Sequence, residues 1–298
     1  MLIYLDNNQQ ISGSDLLSAI LRYDLVPIPV TLELTVNATD MLKNELVVGK
    51  SLLLANGVEL AIVKVQAFNN NAIKEGKRLG ALAVIAVIAG CEPLLAVTKK
   101  ATIRDSVNLS EIYRSLGAKA RFLSDIKINR FVCLKGQMPT KAIALALQKE
   151  SAVIVYDTEQ RGFTVRRINE LVNQQNPTLY DPSQVQWLSN PSMVARLNTN
   201  FLSIDSNGSD VLGEVTSGKK VNYIPRVDNR ELNNLKRILV TRGIITRPID
   251  ERLQAGKAVL VNGTQYVVLT SAIRFDTGAL GGSAVTATKA WLANMVEK

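Results

Sequence analysis

Histidine is absent from this chain of 298 residues, and its absence excludes several kinds of chemistry. Without imidazole there is no Ser-His-Asp or Cys-His nucleophile, no histidine-ligated zinc and no imidazole base that titrates near neutral pH. Only two cysteines occur, Cys91 and Cys133, which are too few for a disulfide scaffold or a cysteine-rich metal site. We expect both to be buried, reduced thiols. Most common hydrolase mechanisms are therefore excluded.

Long apolar runs and aromatic side chains are also scarce. The longest apolar stretch covers residues 79–91, which is shorter than a membrane-spanning helix. The first residues carry no basic segment, and their apolar run stops at Asp6, so we expect no signal peptide, no membrane anchor and synthesis in the cytoplasm. Aromatic residues make up 5% of the chain and do not alternate with basic ones, which argues against a stacking platform for single-stranded nucleic acid.

The positive charge of the chain is concentrated in two segments. Lys and Arg number 35 against 26 Asp and Glu, a net charge of +9. Residues 74–130 carry a net charge of +6 and residues 219–252 a net charge of +5, whereas residues 1–73 and 131–218 are slightly acidic. Such segments can bind nucleic acid phosphates, bind acidic protein surfaces or face solvent. No known nucleic-acid-binding motif accompanies them, so nucleic-acid binding is an alternative and not our favoured hypothesis.

We predict that these two segments form assembly surfaces. The candidate interaction residues are Lys99, Lys100, Arg104, Arg226, Arg230, Lys236 and Arg237. We predict no catalytic residue, no cofactor and no metal ligand, because no glycine-rich phosphate loop or metal-binding motif is present. Glu150, Asp157 and Glu159 lie close together in the sequence, but carboxylates near a turn are usually solvated and we expect these to be so. An enzyme of unrecognised type, working through carboxylates, Lys or Ser, is the remaining alternative.

Hydrophobic patterning predicts strands near both ends of the chain and short helices in the middle. Strict alternation over residues 31–36 predicts a half-buried strand, whereas apolar spacing after Ser14 and Asp15 predicts a helix over residues 12–23. The polar residues 69–78 indicate a loop. Residues 79–90 favour a strand, although their periodicity leaves a helix open.

The middle third shows a different pattern. Short helices are predicted over residues 109–116 and 141–149, and the β-branched run 151–156 is predicted to pair with residues 162–165 across a polar turn. Residues 172–200 are polar and show no clear period.

A repeated pattern near the two ends of the chain is the most informative feature. Gly-Lys at 49–50 precedes Asn-Gly at 56–57, and Gly-Lys at 256–257 precedes Asn-Gly at 262–263, each between β-rich runs. Asn-Gly predicts a type I′ hairpin turn because both turn residues need positive φ. The two Gly-Lys pairs are 207 residues apart, too far for a solenoid repeat. We predict two related β units, so that three chains would supply six units in a ring.

Four stretches in this order resemble the baseplate or tail hub proteins of long-tailed, contractile-type bacteriophages, the late-control hub family. They are residues 21–29 leading into an alternating strand, the two Gly-Lys/Asn-Gly hairpins, residues 131–140 entering an alanine-rich helix, and residues 274–282 after the second hairpin. Together they cover about half of the chain, and the match rests on order and architecture because none is a sharp motif.

The resemblance implies a mainly β (α+β) fold with two tube-protein-like β-barrel units and a small mixed α/β middle region. The implied division is a first barrel over residues 1–100, a middle region over 101–200 that can help to complete the barrels, and a second barrel over 201–298. It implies a non-enzymatic virion protein, a homotrimer that joins the sixfold tail tube to the threefold spike. Its partners would be the tube, spike and other baseplate proteins, with DNA or tape-measure protein passing through its channel.

Overall fold

The fold is mainly β, as the sequence predicts. The structure, a computed structural model, describes residues 1–74, 77–189, 199–204, 207–212, 220–280 and 283–296, with the backbone alone for 69–74, 77–79, 199, 212 and 220. Strands hold 48% of the chain and helices 16%, which confirms the predicted fold class.

The first third of the chain is built from strands and one short helix. These are β1 (Ile3–Leu5), β2 (Leu16–Asp24), β3 (Val30–Asn37), α1 (Asp40–Glu45), β4 (Ser51–Leu54), β5 (Glu59–Lys74) and β6 (Lys77–Ile88). A 3-10 turn follows at Glu92–Leu95. The middle region contains β7 (Thr102–Asn108), α2 (Leu109–Ser115), β8 (Lys127–Cys133), α3 (Pro139–Lys149), β9 (Ala152–Asp157), β10 (Gly162–Arg167) and α4 (Ile168–Val172).

The last third returns to strands. These are β11 (Thr178–Tyr180), β12 (Val185–Trp187), β13 (Thr199–Ile204), β14 (Asp210–Leu212), β15 (Lys220–Tyr223), α5 (Asn229–Asn234), β16 (Ile238–Arg247), β17 (Ala258–Val261), β18 (Thr264–Asp276) and β19 (Val285–Val296). Ten strands join in the order β1-β4-β5-β6-β3-β2-β18-β19-β16-β12, and β17 extends the same sheet by pairing with β18 and β11. Smaller sheets are β7–β8, β9–β10 and β14–β13–β15.

The strand order repeats within the large sheet. We call β2 to β6 the first unit, and β12 with β16 to β19 the second unit. Their strands lie in the orders β4-β5-β6-β3-β2 and β17-β18-β19-β16-β12, so each strand of one unit has a counterpart at the same place in the other. The repeat seen in the sequence therefore extends from a hairpin to five strands. The two units meet where β2 pairs with β18.

The backbone around the repeated glycines is also the same in both units. The Gly49 N–H donates to the Ile62 carbonyl at 2.9 Å, and the Gly256 N–H donates to the Val268 carbonyl at 2.8 Å. Both glycines have left-handed φ angles, +94° and +88°, which glycine adopts without the steric cost of a Cβ. A β-bulge directly follows Ile62 in the first unit and Val268 in the second. The shared bulge places the two long strands in equivalent registers.

The two Asn-Gly turns differ, which corrects one prediction. Asn262 and Gly263 both have positive φ and form the predicted two-residue turn. In the first-unit turn, Gly57 has positive φ but Asn56 does not, and the Gly57 N–H donates to the Leu54 carbonyl at 2.8 Å. That turn is a three-residue loop, so the type I′ prediction is wrong there. The extra loop residue explains why the first hairpin is one residue longer.

The helix predicted over residues 12–23 is wrong. Leu16–Asp24 is strand β2, in which Ala19, Leu21 and Tyr23 are buried at alternate positions. A β-bulge after Leu16 places two adjacent buried leucines at the start of the strand. This breaks the alternation and produces a spacing that imitates a helix.

Most other element predictions agree with the structure. Strands β3 and β6 confirm the strands over residues 31–36 and 79–90, and α2 and α3 confirm the helices over 109–116 and 141–149. The loop predicted over 69–78 is wrong for residues 69–74 and 77–78, which extend β5 and β6 as a long hairpin. Polar residues in these strands gave no alternation to detect.

The main hydrophobic core joins the first unit to the middle region. Leu32 of β3, Tyr113 of α2 and Phe163 of β10 belong to one continuous buried cluster. The Tyr113 hydroxyl donates to the Pro27 carbonyl at 2.7 Å, and its ring meets the Phe122 ring edge-on. A separate, smaller cluster fills the second unit. Burial of this apolar surface is the main stabilising contribution to the fold.

Candidate functional site: assembly surfaces

The first group of predicted interaction residues lies on or directly before strand β7, which pairs antiparallel with β8. Lys99 and Lys100 precede β7, Arg104 lies on it, and all three are exposed. The Thr98 N–H donates to the Gln137 carbonyl at 3.0 Å, so the turn after β8 lies beside this segment. That turn carries a further exposed lysine at position 135. The structure thus gathers positive charge at one end of the β7–β8 pair.

Exposed apolar side chains accompany this charge. Ile103 and Val132 lie opposite each other in the β7–β8 pair, and both are exposed. Val97, which lies before β7, and Leu134, which directly follows β8, are exposed as well. Apolar side chains ringed by basic ones are typical of a surface that another protein covers. Sequence reasoning identified the charge but missed these apolar neighbours.

The second group of predicted residues surrounds helix α5. Arg226 is exposed and has a left-handed φ of +56° in the turn before the helix. Lys236 and Arg237 follow the helix, are half-buried and both take part in polar interactions. The Arg237 guanidinium donates to Asn234 Oδ1 at 3.4 Å. Of this group, Arg226 is the residue most open to a partner.

Arg230 is engaged within the chain. Its guanidinium donates two hydrogen bonds to the Glu150 carboxylate, at 2.5 and 2.8 Å, in a bidentate pair. This hydrogen-bonded carboxylate raises the pKa of Arg230 further above its usual value. The Asn234 amide donates to the Lys149 carbonyl at 2.8 Å, so α5 is anchored to the C-terminus of α3. The Arg230 charge therefore already serves an internal contact.

The expectation that Glu150 is solvated is wrong. Glu150 is 2% exposed and lies at the end of α3, where the Arg230 and Arg167 side chains both approach it. Asp157 is half-buried, and its carboxylate accepts from the N–H of Glu159, which is exposed. A buried carboxylate needs such cationic partners to remain ionised. Arg230 lies eighty residues further along the chain, beyond what spacing could detect.

The cysteine thiols and the potential metal ligands of the described residues bear on what chemistry is available. Cys91 and Cys133 are buried and unpaired, as expected, and burial raises the pKa of the Cys91 thiol to about 12, which disfavours a thiolate nucleophile. Within residues 1–74, 77–189 and the later described segments, no group of three potential metal ligands occurs. No helix among the described residues has the length and apolar character needed to cross a membrane.

Two edges of the large sheet lack a strand partner among the described residues. On β5, residues 64–69 pair with β6 on one side and with no strand on the other. Strand β12 ends the sheet, so its outer edge is open too. Phe68 on the first edge is 38% exposed and Trp187 on the second is 48% exposed. Sequence reasoning missed β12, because its three residues lie in a polar segment.

Solved structures of tail proteins have the same fold over nearly the whole chain. A tail protein from Neisseria meningitidis MC58 matches with a TM-score of 0.62 at 8% identity, covering 98% of this chain and 95% of that one. The 43 kDa tail protein of prophage MuSo2 from Shewanella oneidensis matches with a TM-score of 0.61 at 9% identity, covering 98% and 96%.

A secretion protein shares the fold as well. The E. coli c3393 protein is a component of the type VI secretion system described as structurally similar to the T4 bacteriophage tail proteins gp27 and gp5. It matches with a TM-score of 0.55 at 8% identity, covering 99% of this chain and 76% of that one. No protein-family model matches the chain, and no curated protein matches it by sequence. These likenesses establish the fold.

Proposed function

We propose that this chain is a structural protein of a phage-type tail, a homotrimeric hub that joins the sixfold tail tube to the threefold spike. The observation that carries the proposal is the repeated five-stranded unit within a fold shared with tail proteins over 98% of the chain. The hub surrounds the channel through which DNA or tape-measure protein leaves, performs no catalysis and resides in the tail of the virion.

The internal repeat supports a change of symmetry. A trimer of a chain with two equivalent units presents six similar units in a ring, and this ring can meet a sixfold tube on one side and a threefold spike on the other. In this proposal residues 1–100 and 201–298 supply two tube-type barrels, β12 from the middle region of 101–200 helps to complete the second, and the rest of that region separates them along the sequence. The β2–β18 pairing is the contact between units within one chain.

The exposed basic residues supply the outward contacts. We assign Lys99, Lys100 and Arg104, with the apolar pair beside them, to a surface that packs against an acidic face of a neighbouring tail protein. Arg226 contributes to a second such surface. Charge complementarity of this kind selects the correct neighbour and orients it during assembly. Lys236 and Arg237 adjoin the second surface from the end of α5.

Light scattering and negative-stain microscopy test the proposal with the purified full chain, alone and with the tail-tube protein. We expect a mass three times that of the 32.5 kDa chain and a ring with six lobes that stacks on the tube. A chain that stays monomeric and does not bind the tube would contradict the proposal. DNA binding that weakens steeply with salt, without ring formation, would favour the nucleic-acid alternative.

Charge reversal tests the first surface. The double variant Lys99→Glu/Arg104→Glu should bind the neighbouring tail proteins at least about tenfold more weakly while its unfolding curve stays unchanged. The matched control is Arg114→Glu/Lys141→Glu, which reverses the same amount of charge at exposed positions on α2 and α3. Equal losses in both variants would show that net charge alone is responsible and would remove the β7–β8 pair from the proposed surface.

A further inference from the structure

The two units differ in what covers the far half of their long strand. In the second unit, β18 pairs with β2 from Thr270 opposite Asp24 to Asp276 opposite Ser18. In the first unit, the corresponding half of β5 has an open edge. Strand β12 holds in the second unit the place that β2 holds in the first, and among the described residues its outer edge has no partner either. Each copy therefore carries an open edge on β5 and a strand, β12, whose outer edge has no partner.

We propose that β12 of one copy pairs antiparallel with the open half of β5 in a second copy. This contact repeats between copies the β2–β18 junction that each copy already contains. It rests on the proposed hub function, because it is the contact that would close the ring. The two surfaces are different, so the interface is head-to-tail, and such an interface closes when the rotation between copies completes a circle.

The shared bulge sets the position on β5. Ile62 and Val268 occupy equivalent places, since each accepts the hydrogen bond of its glycine and precedes the bulge. Phe68 lies six residues after Ile62, as Arg274 does after Val268. Phe68 therefore corresponds to Arg274, which lies within the stretch of β18 that β2 covers.

The pairing of the next strands sets the position on β12. Ile62 faces Ala86 and Val268 faces Leu292, so these two partners are equivalent. Their own partners in the following strands are Leu32 and Gly243, on β3 and β16. These two residues are therefore equivalent too.

The outermost strands complete the register. Leu21 of β2 faces Leu32, and Trp187 of β12 faces Gly243, so Trp187 corresponds to Leu21. By the same rule, Gln186 corresponds to Ile20, and Ile20 pairs with Arg274. Between copies, Gln186 should thus face Phe68, and Trp187 should face the residue before it, Ala67.

The side chains at these positions fit a covered edge. Gln66, Ala67 and Phe68 are consecutive and all exposed. Lys64 lies at the start of the open residues 64–69, but residues 66–68 contain no lysine, proline or inward charge of the kind that protects an edge strand from pairing. Trp187 is largely exposed where its counterpart Leu21 is 5% exposed beneath the internal junction. Pairing between copies would cover apolar surface that each isolated copy exposes.

A disulfide between copies tests the register. In the β2–β18 junction the Thr277 N–H donates to the Leu17 carbonyl at 2.9 Å, so these two residues form a hydrogen-bonded pair. Hydrogen-bonded and non-hydrogen-bonded pairs alternate along an antiparallel ladder, so the pair three positions away, which contains Arg274, is non-hydrogen-bonded. Phe68 and Gln186 would form a pair of that class, in which side chains approach closely enough for a disulfide. The variant Phe68→Cys/Gln186→Cys is oxidised in the presence of the tail-tube protein and run on non-reducing gels. The native thiols Cys91 and Cys133 are buried and give little background.

Two controls make the result specific. The variant Ala67→Cys/Gln186→Cys is shifted by one residue, which points the two side chains to opposite faces of the sheet, and its cross-linked fraction should be at least about tenfold lower. Mixing the two single variants, Phe68→Cys and Gln186→Cys, should give covalent dimers, whereas each single variant alone should not. The mixture excludes a bond within one chain.

The outcomes separate this inference from the hub itself. Covalent dimers and trimers from Phe68→Cys/Gln186→Cys, with mixed dimers from the single variants, support the strand pairing. A wild-type trimer whose variants do not cross-link, or cross-link equally in the shifted control, overturns the strand pairing and leaves the hub standing. A wild-type chain that remains monomeric with the tube protein present, and gives no cross-link, overturns both.

Discussion

The two five-stranded units share a backbone plan but differ in how they are stabilised. The large apolar core joins the first unit to the middle region and also takes in Val267 of β18, whereas a smaller core lies within the second unit. Between β3 and β4 the first unit has helix α1; the matching connection in the second unit has a polar network around Asp250. The glycine hydrogen bond and the bulge are common to both units, whereas the cores and the connections between their strands differ.

The strongest test of this difference is a cavity in each core. Leu32 and Leu292 are both fully buried, at 0% exposure, so Leu32→Ala and Leu292→Ala should each lower the free energy of unfolding by about 3 kcal/mol. Because the two leucines belong to different apolar clusters, hydrogen exchange should quicken most in β2–β6 and the middle region for Leu32→Ala, and most in β16–β19 for Leu292→Ala. Uniform loosening of both units by either variant would show that the two cores act as one.

The attachment of α5 to the middle region provides the next largest effect. Arg230→Ala leaves the buried Glu150 carboxylate with the Arg167 guanidinium at 3.9 Å as its remaining ion-pair partner. We expect the free energy of unfolding, measured in urea, to fall by about 2–3 kcal/mol. Arg226→Ala, at an exposed position nearby, should change it by less than about 0.5 kcal/mol. Equal effects of the two variants would mean that Arg230 does not hold Glu150. Because Arg230 makes this internal contact, charge-reversal tests of assembly should leave it unchanged.

Acid should weaken the second unit through Asp250. The Asp250 carboxylate accepts hydrogen bonds from the Arg252 guanidinium and the Tyr180 hydroxyl, each at 2.9 Å, and these donors hold its pKa below the usual 3.8. A lowered folded pKa contributes stability that is present above the unfolded value and is lost as pH falls through the folded one. Asp250→Asn should therefore lower the unfolding free energy by about 1–3 kcal/mol at neutral pH.

The pH profile makes that prediction specific. The difference between wild type and Asp250→Asn should shrink as the pH falls from about 5 to about 2, as followed by thermal unfolding. Asp40→Asn is the matched control in the first unit, because its carboxylate is exposed and forms a surface ion pair with Lys43. A constant difference across the pH range would assign the effect of Asp250→Asn to packing and not to ionisation.

The smallest predicted effect concerns the two Asn-Gly turns. Asn262 has a φ of +48°, which costs a residue other than Gly or Asn about 1 kcal/mol, so Asn262→Ala should destabilise the chain by about that amount. Asn56 does not share this conformation, and Asn56→Ala should change stability by less than about 0.5 kcal/mol. Differential scanning fluorimetry of the two variants measures the contrast, and equal shifts in Tm would mean that both turns share one conformation in solution.

Local patterns in the sequence predicted the strands that alternate or flank Asn-Gly. The alternation over residues 31–36 and the two Asn-Gly hairpins required only neighbouring residues, and they appear in the structure as strands β3, β4–β5 and β17–β18. Strand β2 was misassigned because its bulge disturbs the alternation of buried positions. Strand β12 was missed because three residues pair with a strand almost sixty positions away, and no local period marks them.

The candidate surfaces show the same division. The charge pattern predicted exposed basic residues, because isolated charges are seldom buried. Four of the predicted residues are exposed: Lys99, Lys100, Arg104 and Arg226. Arg230 departs from it, since its buried partner Glu150 lies in another helix and only the folded chain brings them together. The open edges of β5 and β12 follow from the strand order, which depends on pairings between distant segments.

Trp187 also gives the molecule an optical reporter. The chain has two tryptophans, and both belong to the second unit: Trp187 leans on Tyr266 with ring centroids 5.7 Å apart, and Trp291 lies beneath the Lys289 ammonium at 5.1 Å. Intrinsic emission therefore monitors the second unit directly, without a label. Because the Trp187 ring is about half exposed, its emission wavelength depends on the polarity at that end of the sheet. A blue shift over time would report when water is excluded from this edge.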